Sequence, residues 1–133
     1  MGPSLSESDV VLLRRPDVLV YLATTNEDGS PHVAPLWSDA DLERNLVLVN
    51  TADGRRKVRN LRRDPRVGLA AHAPERLHPP LLIEGTVVRI TDEGADEHMN
   101  ALSLRYDGEP WTPVKGQVRV IVEIRPDRVL RST

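Results

Sequence analysis

Short aliphatic runs separated by turn signals are the feature that most constrains the fold of this chain. Residues 18–24 (VLVYLAT), 46–51 (LVLVNT), 81–91 and 118–124 are rich in β-formers, and turn-forming clusters bound them. None approaches the roughly 20 apolar residues that a membrane helix needs. Val118, Val120, Val122 and Ile124 alternate with Arg119, Ile121 and Glu123, so one face of that strand is apolar. Residues 46–51 are apolar on both faces, which predicts a central strand covered twice. Residues 32–37 and 67–72 read as two further strands. Asn26-Glu27-Asp28-Gly29 predicts a hairpin between the first two strands, because Asp-Gly supplies the left-handed backbone that tight turns need. Gly85 interrupts the long run 81–91 and marks a bulge or a close backbone approach.

The helical segments are fewer. Ser6, with Asp9 three residues on, predicts a capping box ahead of apolar 10–13, and Pro16 ends that helix. Over residues 55–63, at about 100° per residue, Val58 and Leu61 share one narrow face. Arg55, Arg56, Arg59 and Arg63 spread over the opposite one. Residues 91–94 open another helix with acids in its first turns, and Met99, Leu102 and Tyr106 should face the core. Residues 39–45 read as a turn, and residues 77–80 and 107–116 as loops. Helices do not alternate with strands as parallel crossovers require. The expectation is a mainly β, six-stranded antiparallel barrel with short flanking helices, one domain over residues 1–133. Its core must be aliphatic, because the chain holds 16 Val, 17 Leu and 4 Ile but no Phe. Absent Cys excludes disulfides, thiolate metal sites and Cys nucleophiles. The polar start, lacking a signal peptide's basic and apolar regions, predicts a soluble cytoplasmic protein.

The net charge of −2 hides a strong asymmetry. Residues 55–66 carry seven bases and one acid, a local charge of +6, leaving −8 on the remainder. This segment follows an apolar strand and a Gly-containing turn, where free N–H groups and the helix dipole favour phosphate. Arg can grip phosphate oxygens bidentately, and Lys57 adds a point charge. From spacing alone a solvated face paired with nearby acids explains the same residues. A nucleic-acid contact fits poorly: the helix is short, aromatics are few, and the remainder is acidic. The four His (His32, His72, His78 and His98) show no metal-ligand spacing, so no metal site is expected. His72 and His78 flank a loop that could reach a groove, and the Tyr106 hydroxyl could donate a proton there.

Three segments, taken in order, carry a resemblance. They are Leu22-Ala23-Thr24 with Asp28-Gly29-Ser30-Pro31-His32-Val33-Ala34-Pro35-Leu36-Trp37, then Leu46 to Thr51, then Arg55 to Arg66. Together they resemble the pyridoxamine 5′-phosphate oxidase-like split β-barrel family, and within it the coenzyme F420-dependent oxidoreductases. Lys57 to Arg66 (KVRNLRRDPR) is the most specific part. The resemblance implies a homodimer with a flavin-type cofactor in each groove between subunits. It places Asn50, Thr51, Arg55, Arg56, Lys57 and Asn60 along the ribityl chain and phosphate, with Lys57 and Arg55 on the phosphate. It places Pro35, Leu36 and Trp37 along the ring system, and lets residues 77–80 and the Trp111 region close the pocket. The implied activity is hydride transfer between the deazaflavin coenzyme F420 and a small organic substrate. An FMN-dependent oxidoreductase and a non-catalytic flavin carrier are the alternatives on the same barrel. Hydride transfer needs placement and water exclusion more than protein acids and bases, so the lack of a catalytic triad is compatible with an enzyme. The resemblance also marks a departure: the end, from Pro126 to Thr133, lacks the extended tail of some relatives.

Overall fold

A computed structural model describes residues 3–75 and 79–131. Leu77 and His78, from the expected 77–80 loop, lie outside the described residues. The elements run α1 (Glu7–Leu13), β1 (Val20–Thr25), β2 (Pro31–Leu36), β3 (Ser38–Asp41), β4 (Leu46–Ala52), α2 (Arg56–Arg63), β5 (Arg66–Ala71), β6 (Leu81–Thr91), α3 (Ala95–Tyr106) and β7 (Arg119–Leu130). The capping box forms as the sequence predicts: Ser6 Oγ accepts from the Asp9 N–H, and the Asp9 carboxylate accepts from the Ser6 N–H.

One antiparallel sheet holds seven strands in the order β2-β1-β5-β6-β7-β4-β3. β2 and β3 are its two opposite edges, yet only Trp37 separates them in sequence. Across one intervening residue the chain reaches at most about 7 Å, so the sheet must curl until its edges meet. That makes a split barrel whose seam lies at Trp37. Its interior is aliphatic, with Val20, Leu22, Val47, Val49, Ile83, Val122 and Ile124 all 2% exposed or less.

Two expectations need correction. There are seven strands and not six, because Ser38–Asp41 is a strand where a turn over 39–45 was expected. Its polar residues are satisfied by partners far along the chain. Ser38 is fully buried and its hydroxyl donates to the Leu13 carbonyl at 2.7 Å, while Ala40 sits in the core. The turn is confined to the segment that follows, with Asn45 in the left-handed region at φ 56°. The last strand also runs past Ile124, through Pro126, to Leu130. Pro126 is tolerated because the β6–β7 register shifts beside its partner Gly85, as Pro in a sheet requires. A Cβ at Gly85 would meet the Arg125 carbonyl oxygen at 2.7 Å, so the close approach expected there is real. Val118, expected on the apolar face, precedes β7 and is 52% exposed.

Candidate functional site

α2 has the predicted amphipathic order. Val58 and Leu61 are buried, and Arg55, Arg56, Arg59, Arg62 and Arg63 are exposed around them. The turn before it uses Gly54 at φ 88°, and Arg55 occupies the N-cap without a side-chain cap bond. Only Arg62 and Arg66 of this segment form ion pairs among the described residues, with Asp53 and Asp64. The solvated, acid-paired reading therefore accounts for those two, and leaves Arg55, Arg56, Lys57 and Arg59 without a carboxylate partner.

Lys57 is half-buried. Burial, reinforced by the charges of Arg55 and Arg119, holds its ammonium below the ordinary lysine range. Arg119, from β7, is pulled down the same way, first by burial and then by Arg55, while Asp96 acts against the shift. Arg119 pairs with Ala52 across the sheet, which brings it beside the start of α2. It is held by neutral acceptors: Asn50 Oδ1 at 3.0 Å, Gln117 Oε1 at 3.1 Å and Met99 Sδ at 3.2 Å. Its guanidinium also lies 5.9 Å from the centre of the Trp111 ring. Arg55, Lys57 and Arg119 thus act on one another with no ion-pair partner among the described residues. Such a cluster persists only where the rest of the fold compensates it, and it is complementary to phosphate.

Arg119 opens onto a groove of about 270 Å³ between β2 and α3. Leu19, Pro35, Leu36, Trp37, Asn50, Met99 and Leu102 line the remainder. The structure therefore brings Pro35, Leu36, Trp37 and Asn50 together, with a cationic end and an apolar end. Pro35 and Leu36 stand on an edge strand, so part of their backbone polarity is unpaired by the sheet. Trp37 stacks on Tyr106. The Tyr106 hydroxyl donates to the Val18 carbonyl at 3.1 Å and accepts from the Ser38 N–H at 3.2 Å. Backbone contacts, not a free groove edge, surround that hydroxyl.

Other expected residues lie apart. Arg56 and Asn60 line a second, larger groove of about 590 Å³, between α2 and the β1–β2 hairpin. This groove mixes signs, with Arg59 and Arg63 facing Glu27 and Asp28. Size alone favours it, but the chemistry favours the β2–α3 groove, which combines an apolar wall with Arg119, a cation held only by neutral acceptors. Asn60 is 3% exposed, and its amide ties α2 to the hairpin through Thr24 Oγ1 and Asn26 Oδ1, both at 3.0 Å. Thr51 is buried on the barrel face shared with Val49 and Val120, opposite to Asn50.

Sequence reasoning missed Arg119, which reads as one outward residue of an alternating strand. It also missed His98. His98 Nε2 lies 3.0 Å from Asp39 Oδ2, and its Nδ1 lies 3.1 Å from Asn50 Nδ2. Asp39 is mostly buried, which alone would raise its pKa, but bonds from His98 and the Ala40 N–H, with the Arg105 charge, hold it below the usual carboxylate range. Among the described residues there is no group of His, Asp and Glu fit to hold a metal ion, and no helix long and apolar enough to cross a membrane.

The family model described as pyridoxamine 5′-phosphate oxidase matches residues 10–132. A solved structure described as an F420 reductase is 28% identical, covers 96% of this chain and 100% of its own, and superposes with a TM-score of 0.83. A conserved hypothetical protein from Mycobacterium tuberculosis is 26% identical, covering 94% of this chain and 82% of its own at a TM-score of 0.69. HupZ from Group A Streptococcus, at 21% identity, covers 96% of this chain and 95% of its own at a TM-score of 0.68. At that identity the likeness speaks to the fold alone. With the family match running through all seven strands of the barrel, the chain belongs to the pyridoxamine 5′-phosphate oxidase-like split-barrel family.

Proposed function

We propose that the protein is a coenzyme F420-dependent oxidoreductase acting on a small organic substrate. The observation that carries this reading is Arg119, which lines an apolar groove with Trp37, has no carboxylate partner among the described residues, and shares the electrostatic field of Arg55 and Lys57. That donor set fits a ligand with a phosphate at one end and a flat apolar ring at the other. When bound, the deazaflavin supplies the hydride-carrying carbon. Lys57 and Arg55 would hold the phosphate together with Arg119. The β2 edge around Pro35 and Leu36 offers backbone groups to the ring edge, and Trp37 packs beside the ring. The 28% identity to a structure described as an F420 reductase supports this cofactor.

The groove is small for such a ligand. Its roughly 270 Å³ lies below the range of about 300–1,000 Å³ usual for small-molecule sites. A second copy of the chain would enlarge it. Leu19, which lines the groove, continues onto Tyr21 and Val33, which are 47% and 59% exposed. An exposed apolar sheet face of this kind suits a homodimer with the cofactor between subunits.

A second reading, FMN in the same groove, draws on Glu27 and Asp28. They stand beside Arg56 and Arg59 in the hairpin groove and oppose an acidic tail there. One titration separates the two. Purified protein should quench coenzyme F420 fluorescence at low micromolar concentration and leave FMN fluorescence unchanged. A protein that purifies yellow with bound FMN replaces the first reading with the second. Binding of neither overturns both.

A further inference from the structure

We infer that His98 is a positioning residue for the cationic end of the groove: by fixing the Asn50 amide, it holds the Arg119 guanidinium in place. The inference rests on the reading of that groove as an anionic-cofactor site, and its hydrogen-bond logic stands without any ligand.

Two one-way groups determine how the Asn50 amide sits. The Ala95 carbonyl can only accept, and it lies 2.8 Å from Nδ2. The Arg119 Nε–H can only donate, and it lies 3.0 Å from Oδ1. The amide nitrogen therefore faces α3 and the oxygen faces Arg119. The second amide proton points at His98 Nδ1, 3.1 Å away, which must be bare to accept it. The ring proton then sits on Nε2 and is donated to Asp39 Oδ2 at 3.0 Å. Every donor in this chain points the same way, from Arg119 through Asn50 and His98 to Asp39. At its far end the Asp39 carboxylate is further held by Arg14 at 3.1 Å and Arg105 at 3.3 Å.

The network is enclosed. Asn50 is 6% exposed, and the side chains of His98 and Asp39 are 12% and 13% exposed. If Nδ1 stops accepting, a buried Asn50 N–H loses its partner, and the amide, then anchored to α3 through the Ala95 carbonyl alone, no longer holds Oδ1 firmly against Arg119. Lys57 and Arg55 repel it, and Asp96 attracts it from outside the groove. His98 thus holds a cation where like charges would otherwise displace it.

The test compares His98→Leu, which removes both ring bonds, with His98→Gln, whose amide can accept from Asn50 and donate to Asp39. In the cofactor-free protein, the Arg119 Nε–H should give a distinct, slowly exchanging NMR signal. That signal should merge with those of exposed arginines in His98→Leu and return in His98→Gln. An equally protected Arg119 Nε–H in His98→Leu would overturn the inference. Wild-type imidazole ¹⁵N shifts test it even if His98→Leu does not fold: they should show a protonated Nε2 and a bare Nδ1, and a proton on Nδ1 overturns it. In titrations with coenzyme F420 and FMN, whichever binds the wild type should bind His98→Leu about tenfold more weakly, the order of one lost charge-assisted contact, and His98→Gln nearly normally. If the wild type binds neither while the NMR dependence holds, the cofactor reading fails and the positioning role stands.

Discussion

Trp37 and Tyr106 lie ring on ring, with centroids 4.9 Å apart and planes 3° from parallel. The stack fastens α3 to the single residue that joins β2 to β3, where the two edges of the sheet meet. Trp37 also lines the β2–α3 groove, so one side chain belongs to both the barrel seam and the candidate site. A change that loosens the seam should therefore also be felt in the groove.

Tyr106 separates the two contributions. Tyr106→Phe keeps the stack and removes the hydroxyl's bonds to Val18 and Ser38, and should cost about 1 kcal/mol in urea unfolding. Tyr106→Leu also removes the ring contact and should cost about 1 kcal/mol more. Because backbone groups engage the hydroxyl, turnover should survive in Tyr106→Phe. Loss of turnover at normal stability would restore the hydroxyl as a proton donor.

What the sequence makes legible is local, and what it conceals is long-range. The Ser6–Asp9 capping box, the Asp-Gly hairpin, the β6 strand with its Gly85 irregularity and the amphipathic α2 each depend on residues a few positions apart. β3 was hidden because the partners that make its polar residues bury well are remote: Leu13 for Ser38, and His98, 59 positions away, for Asp39. The groove was legible along Pro35, Leu36, Trp37 and Asn50, which the resemblance brings out. Arg119 was not, since only its register opposite Ala52 carries it to Lys57. Asn60 shows the converse: the resemblance implies a cofactor contact there, whereas the fold uses its amide to tie α2 to the hairpin.

Gly85→Ala tests the close approach between β6 and β7. The new methyl would sit 2.7 Å from the Arg125 carbonyl oxygen and 2.8 Å from Ile124 Cγ2. Backbone cannot move aside as a flexible side chain does, so the variant should lose about 2–3 kcal/mol. A thermal melt unchanged from wild type would show that the sheet can absorb the methyl.

Asp39 should give a pH-dependent share of stability. Burial works against its charge, but His98, the Ala40 N–H and Arg105 hold its folded pKa below the ordinary 3.8. A depressed carboxyl contributes stability that is fully present above its unfolded value and lost as pH falls through the folded one. Asp39→Asn should therefore be less stable than wild type at neutral pH by about 1–3 kcal/mol. That gap should close on acidification below 3.8. Chemical denaturation of both proteins across this range checks it, and a gap that widens in acid would contradict the sign.

Lys57 should show a trade of stability against binding. Its ammonium is half-buried beside Arg55 and Arg119, and burial with their repulsion lowers its pKa in the free protein. Lys57→Met removes that penalty and should leave the fold as stable or slightly more so, by less than about 1 kcal/mol because the group is partly solvated. The same change should weaken cofactor binding about tenfold or more, by loss of a charge-assisted phosphate contact. Arg55→Ala combined with Lys57→Ala should weaken it further with the thermal fold intact. A bound phosphate would favour the charged ammonium and raise its pKa. Affinity is then full below the free-protein value and declines as pH rises through it, since the free protein must take up a proton to bind. Lys57→Arg should bind with a flat alkaline profile, because a guanidinium keeps its charge there. Fluorescence titrations from neutral to alkaline pH decide the matter: parallel profiles for wild type and Lys57→Arg would remove Lys57 from the anion site.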